Sequence, residues 1–297
     1  MTTNVRSMSR DETPARLEIH EGEPLQRSVR EFYEQVGWNV DERGIFEDAA
    51  RFEDLRPVGE RYLDRCHARV RRHLPPGGRY LLDVASGPVQ RDEFLAYSER
   101  HQYRVCVDLT MSALRGARRR LGRHGLYVVG DIARLPFRDD TFEGAVSLHT
   151  IYHVPAAQQA GSFLEFFRVV RPGTAGVVVY SWGKHAPLMF LFDALPHKIA
   201  SIWRGLRRAA GTAAREPGLY FAPQSPAWFR REVAARIPAE ITVWRSLSPF
   251  FQQHFVPQNR FGEWFLDRVY ALEERWPKAF GRWGNYPLLV LRKPAGR

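Results

Sequence analysis

Lysine is nearly missing from this chain of 297 residues: four lysines accompany 40 arginines. Cysteine is almost as rare, with only Cys66 and Cys106 present. Two cysteines exclude a disulfide framework, and Cys106, inside an apolar run, is expected as a buried thiol. No run of about 18 apolar residues occurs, which excludes a membrane-spanning helix of ordinary length. The opening stretch "MTTNVRSMSRDETPARLEIHEGEP" lacks the apolar segment of a secretory leader, so a cytoplasmic location is expected by default. No close cluster of His, Cys and carboxylates has ligand spacing, so no metal is expected.

What is abundant is positive charge. The formal net charge is +11 and the isoelectric point is near 10. It is unevenly spread: residues 1–60 hold 14 acids and 8 arginines, a net of −6, which leaves +17 on the remainder. Such a surplus suits nucleic acid, anionic lipid or an acidic substrate. The Arg-for-Lys bias gives it a plainer, compositional source.

Along the chain, residues 1–24 carry charge without hydrophobic period and are expected to be a disordered tail. Helices are predicted over 25–38, with Leu25, Val29, Phe32, Tyr33 and Val36 on one face, and over 57–74, ended by "PPGG" at 75–78. Strand-like runs then alternate with helical ones. The strands are 79–84, 104–109, 126–130, 143–149 and 176–182; the helices are 89–100, 111–122 and 156–170. Such alternation predicts βαβ units and a parallel sheet covered on both faces. After Trp182 the pattern stalls for about forty residues, beyond the length of ordinary connections. A helix over 228–237, a strand over 240–247, a helix over 261–276 and a strand over 286–293 complete an expected seven-stranded sheet. The expected divisions are a helical cap at 25–78, a core at 79–182, an insertion at 183–224 and a return to the core sheet at 225–297.

In an open α/β sheet, ligands bind outside the carboxyl ends of the strands, where strand order reverses. "LLDVASGP" supplies the features for such a site: Ala85, Ser86 and Gly87 are small, Gly87 can take positive φ, and the next helix would aim its N-terminus at a ligand. An alanine is expected to be tolerated at 85 if its φ is negative, and Val89 is expected at the start of the helix. Asp108 ends the second strand, where a carboxylate can accept from two ribose hydroxyls. Asp131 follows the third strand in "GDIARLPF" and could accept from an adenine amine, with Ile132 packing on the ring. Each acid alone has an ordinary reading as a strand-end residue. Three in succession at the same sheet edge form a constellation.

These segments resemble a known family. "LLDVASGP", "VCVDLTMSAL", "VVGDIARLPFRDDTFEGAVSLHTIYHV" and "FFRVVRPGTAGVVVYSW" are similar, in order and spacing, to the motifs of the class I S-adenosylmethionine-dependent methyltransferases. The group in question includes the ubiquinone/menaquinone-biosynthesis enzymes. The resemblance covers about residues 60–182 and implies a Rossmann-like, doubly wound, mostly parallel sheet of seven strands. It implies S-adenosylmethionine as cofactor. Asp83 and Ala85–Gly87 would hold its methionine part, Asp108 and Leu109 its ribose, and Asp131 and Ile132 its adenine. Leu148 and His149 would line the pocket near the sulfonium. Two positions depart from the family pattern: Ala85 and Val89 stand where glycine is usual. They keep open a second reading, a non-catalytic binding protein on the same fold. A nicotinamide enzyme would need GxGxxG, which "DVASGPVQRDE" does not supply.

Methyl transfer from a sulfonium is an in-line displacement in which the protein aligns the acceptor and excludes water. Where the acceptor is a hydroxyl or an acidic carbon a base helps, and the candidates are His149 and His153; hydrogen bonding to backbone is their structural alternative. Tyr152 is a further candidate near the acceptor. Tyr33 and Trp38 could close over the cofactor, since aromatic faces favour a sulfonium, or could simply pack. Base-amine methyltransferases usually carry (N/D)PP(Y/F) after the fourth strand and cytosine-carbon enzymes a Pro-Cys; "HTIYHVP" is neither. No specific nucleic-acid partner is therefore expected, and a small, hydrophobic or lipid-like acceptor is. Within 187–210, Ile199, Ile202, Trp203, Leu206 and Ala210 share one helical face, with Lys198, Arg204, Arg207 and Arg208 outside it. This segment reads either as a lid or as a helix lying on an anionic membrane.

Overall fold

The computed structural model describes residues 23–42, 45–190, 192 and 219–296. Seven strands form one sheet: β1 (Gly78–Val84), β2 (His101–Asp108), β3 (Gly125–Val129), β4 (Phe142–Leu148), β5 (Val170–Val179), β6 (Ala239–Arg245) and β7 (Tyr286–Arg292). Their order is β3-β2-β1-β4-β5-β7-β6. Neighbours are parallel from β3 through β5, and β7 runs antiparallel to both β5 and β6. The strand centres are apolar at successive positions because both faces are covered: Leu81, Leu82, Val146, Val177 and Val178 are all fully buried. Strand order reverses between β1 and β4, which puts the ligand crevice at their carboxyl ends.

The flanking helices are α1 (Glu23–Phe32), α2 (Glu47–Phe52), α3 (Pro57–His73), α4 (Asp92–Leu95), α5 (Met111–Leu121), α6 (Gln159–Arg168), α7 (Pro226–Phe229), α8 (Pro249–Phe255), α9 (Arg260–Arg275) and α10 (Pro277–Trp283). α1 and α7 run on into wider π-type turns at Tyr33–Gly37 and Arg230–Ala234. α3 starts with Pro at its first turn, where no intrahelical N–H is required. Its buried stripe, Val58, Tyr62, Leu63, Cys66 and Val70, joins the main core, so α3 is a layer of the core. α1, its π turn and α2 sit over the carboxyl edge. Asn259 caps α9, its side chain accepting from the Phe261 and Gly262 N–H groups. Cys66 and Cys106 are both buried free thiols.

One predicted helix is corrected. The stretch 89–100 holds only the four-residue α4, Asp92–Leu95. Val89 has φ 56° and Arg91 is extended, so the chain cannot enter a helix before Asp92. Beyond Leu95 the Arg104 guanidinium donates to the Phe94 carbonyl at 2.5 Å, which satisfies it without further helix. β5 also begins earlier than expected, at Val170, with Gly173 at φ 79°. α2, α8 and α10 were not anticipated.

The tail at 1–22 and the helical face of Ile199, Ile202, Trp203, Leu206 and Ala210 lie outside the described residues. Among the described residues no helix is long and apolar enough to cross a membrane.

Candidate active site

The turn after β1 is built from left-handed residues. Ala85, Gly87 and Val89 have φ of 54°, 56° and 56°. The condition under which alanine would be tolerated at 85, a negative φ, is therefore not met, and Val89 is not at a helix start: both take the backbone that glycine adopts without strain. Val89 is paid for by complete burial against Cys106, Leu114 and Ala117. The turn is pinned to β2, since the Ser86 N–H donates to the Val107 carbonyl at 3.1 Å. With α4 only one turn long, no helix N-terminus of useful length faces the turn, contrary to expectation.

Asp108 ends β2 and is buried. One carboxylate oxygen accepts from the Gly87 N–H at 3.0 Å; the other accepts from the Thr110 N–H at 2.9 Å and the Thr110 hydroxyl at 2.8 Å. Asp108 thus ties the two neighbouring strand-end loops together, and burial holds its pKa above the ordinary carboxylate value. Leu109, half-buried, follows it. Asp131, after β3, accepts from the Ala133 N–H at 2.9 Å and, through its other oxygen, from the Gln26 side chain on α1. Ile132 is buried in the main core. Asp83 lies within β1, 2 % exposed, and is held by the equally buried Arg104, whose Nε donates at 2.9 Å. That partner was not foreseen: Arg104 reads in sequence as an exposed residue at the start of an apolar run.

The N-terminal segment covers this edge. The Trp38 ring lies 2.9 Å from where a Cβ on Gly87 would stand, so only glycine fits beneath it. Tyr33 stacks on Trp38 at 4.8 Å, and Phe46 meets Trp38 edge-on at 6.3 Å. Trp38 Nε1 is buried without an acceptor. Asp48, on α2, bonds Tyr33, and burial lifts its pKa to about 7, with Glu53 adding to the rise. Gln26 and Asp48 carried no sequence signal, because their roles depend on how α1 and α2 dock.

After β4, Leu148 and His149 stand at the opposite wall. His149 has φ 58°. Its ring lies 4.6 Å from Trp244 and 5.4 Å from Tyr286. Burial, then the nearby Arg245 charge, pushes its pKa down to about 3. His153 shares an edge contact with Tyr33 at 6.3 Å. Its Nδ1 lies 2.6 Å from the Tyr220 carbonyl, which makes Nδ1–H the donor, and burial lowers its pKa to about 4. Tyr152 is buried between His153, at 4.5 Å, and Phe221, at 5.2 Å. The predicted residues thus lie along one sheet edge, with the turn 85–89, Asp108 and Asp131 after β1, β2 and β3 and with His149, Tyr152 and His153 after β4; Trp38 packs on the first group and Tyr33 touches the second. Among the described residues no group of His, Cys, Asp and Glu could hold a metal ion.

Comparison with known proteins agrees with this architecture. Residues 82–178 match the family model described as a methyltransferase domain. An uncharacterized methyltransferase of Mycobacterium tuberculosis is 35% identical over 109 residues, covering 36% of this chain and 41% of that protein. The ubiquinone/menaquinone biosynthesis C-methyltransferase of Roseobacter denitrificans is 34% identical over 140 residues, covering 44% of this chain and 55% of that protein. The chain therefore spans about half the length of these curated relatives. Among solved structures, a phosphoethanolamine N-methyltransferase of Haemonchus contortus in complex with S-adenosyl-L-methionine superposes with a TM-score of 0.52 at 16% identity, covering 90% of this chain and 60% of that one. At that identity the likeness speaks for the fold alone. By its family match and its strand order, residues 82–178 of this chain form a methyltransferase domain on the class I fold.

Proposed function

We propose that this protein transfers a methyl group from S-adenosylmethionine to a small, hydrophobic acceptor. The observation that carries the reading is the turn 85–89. It keeps the left-handed backbone at all three family glycine positions although two of them are not glycine, and it remains fastened to Asp108. A loop freed from cofactor binding has no reason to retain strained Ala85 and Val89. This argues for the enzyme over the non-catalytic binding protein.

The chain's residues fit the cofactor chemically. Asp108 keeps a free lone pair beside its three hydrogen bonds and suits a ribose hydroxyl. Asp131 and Ile132 suit an adenine edge and face. The bare backbone of Ala85–Gly87, next to Asp83, suits the methionine end. Tyr33 and Trp38 offer π faces to a sulfonium, and Leu148 and His149 stand opposite them. When bound, the cofactor supplies an already activated methyl group. The protein's part is to align the acceptor and keep water away. The aromatic side chains Tyr152, Trp244, Tyr286 and Phe221 support an apolar acceptor body, as does similarity to a ubiquinone/menaquinone biosynthesis C-methyltransferase and a sterol 24-C-methyltransferase. His149 and His153 are neutral at pH 7 and very weak bases, so a proton from the acceptor is taken by one of them only when it is already acidic.

The test is transfer of labelled methyl from S-adenosylmethionine to a panel of phenols and quinols. Product formation that falls by about tenfold or more in Asp108→Ala, in the range of lost charged hydrogen bonds, is the expected result. Contact of 187–210 with anionic membrane is a separate part of this reading. Vesicle flotation of wild type against a variant with Arg204, Arg207 and Arg208 changed to Glu decides it, equal flotation removing the idea.

A further inference from the structure

At the carboxyl end of β6 the chain buries an arginine that, among the described residues, makes no direct ion pair, although Glu53 is near enough to feel its charge. Arg245 is 2 % exposed. Among the described residues its side chain makes no hydrogen bond and no ion pair, and its Nε is sealed from solvent with no acceptor. Two aromatic faces flank it: the guanidinium carbon lies 4.9 Å from the Trp244 ring centre and 4.7 Å from that of Tyr286. These contacts offset a small part of the cost of taking a guanidinium out of water.

Three other residues near it carry buried polar atoms without a hydrogen bond. Trp244 Nε1 and both ring nitrogens of His67 are buried without partners, and the His67 ring lies 5.2 Å from that of Trp244. Glu53 feels the Arg245 charge, yet Glu53 Oε2 makes no hydrogen bond and its nearest ion-pair partner is Arg91, at 3.6 Å. A folded protein rarely leaves so many buried polar atoms open in one place. Open donors of this kind call for a partner that is water, an ion or a ligand.

The position makes clear what that is. Arg245 pairs in register with Tyr286, and both Trp244 and Tyr286 touch His149, the residue that follows β4. The guanidinium therefore belongs to the acceptor side of the crevice, across from Asp108 and the turn 85–89. A planar cation in a pocket of aromatic walls is complementary to an oxyanion carried on a flat apolar body.

We propose that Arg245 is the anion-recognition residue of the acceptor subsite, and that the acceptor carries a carboxylate or phosphate on an aromatic or similarly flat apolar body. This rests on the methyl-transfer reading for the word acceptor, but the anion site itself does not depend on it.

The experiment measures binding of benzoate, its neutral isostere benzamide and inorganic phosphate, with and without S-adenosylhomocysteine, to wild type, Arg245→Gln and Arg245→Lys. Wild type is expected to prefer benzoate over benzamide by about tenfold or more, in line with charge-assisted hydrogen bonds. Arg245→Gln should abolish that preference, and Arg245→Lys should keep part of it. Arg245→Gln and Arg245→Lys should both unfold cooperatively, so that a lost preference reports on the site and not on misfolding. Displacement of benzoate by phosphate would assign the site to phosphorylated acceptors; no displacement would assign it to carboxylates. The proposal is overturned if wild type binds benzoate no better than benzamide or not at all, or if the preference survives in folded Arg245→Gln. Absence of S-adenosylhomocysteine binding with the benzoate preference intact would defeat the methyl-transfer reading and leave the anion site standing.

Discussion

Single residues carry the strain and the charge of this site. Ala85 sits at φ 54° beneath the covering aromatics, a conformation costing an L-residue about 1–2 kcal/mol. Ala85→Gly should therefore raise stability by about 1 kcal/mol even though it frees the unfolded chain, visible as a higher urea midpoint; an unchanged or lower midpoint would contradict the strain. His67 gives the pH prediction. Its ring is 1 % exposed and burial holds its pKa well below the usual value. The unfolded chain then binds the extra proton as pH falls below about 6.5, so this contribution to stability is full above that pH and is lost as pH falls. Between pH 6.5 and 5, wild type should lose about 1 kcal/mol per pH unit relative to His67→Phe. Parallel curves for the two proteins would show that the histidine is not buried neutral. At this scale sequence was a partial guide. The three strand-end acids and the small residues of "DVASGP" were legible because each sits at a recognisable strand end. Arg104, Gln26, Asp48 and Arg245 were not, because their meaning comes from partners 15 to over 100 positions away or, for Arg245, from making no direct ion pair among the described residues.

Elements position those residues through a buried clasp. Glu273 on α9 is fully buried and accepts from Tyr62 Oη at 2.6 Å, the Ser246 N–H at 2.8 Å, the Ser246 hydroxyl at 2.5 Å and Arg69 Nη1 at 2.8 Å. Arg69 Nη1 also donates to the Trp244 carbonyl at 2.7 Å. One carboxylate thus joins α3, α9 and the end of β6, beside Arg245. Glu273→Ala should leave Arg69 with Glu274 alone and the Tyr62 hydroxyl and Ser246 N–H without their acceptor, at a cost of about 3 kcal/mol, read from chemical denaturation; a loss under about 1 kcal/mol would show that the clasp is peripheral. The strands were readable from apolar, β-branched runs, and α5, α6 and α9 from their periodicity. The helix after β1 was not, since nothing in "VQRDEFLAYSER" announces the left-handed Val89 that delays it or the Arg104 donor that ends it.

For the whole molecule the order β3-β2-β1-β4-β5-β7-β6 puts the only reversal of the parallel strands between β1 and β4, and the crevice follows from that topology. The same topology brings residues 26, 108, 149 and 245 to one edge, although they span most of the sequence. Net positive charge, +11 overall, gave no such localisation. The informative cations are those kept inside, Arg69, Arg104 and Arg245. The central claim, a cofactor site at the β1–β4 edge, is tested most directly by calorimetric titration of the folded wild type with S-adenosylhomocysteine, with Asp108→Ala beside it. The account predicts binding in the micromolar range, roughly −8 kcal/mol, that collapses in the variant. No heat of binding from a wild type that melts cooperatively, or equal affinity in the two proteins, would contradict it.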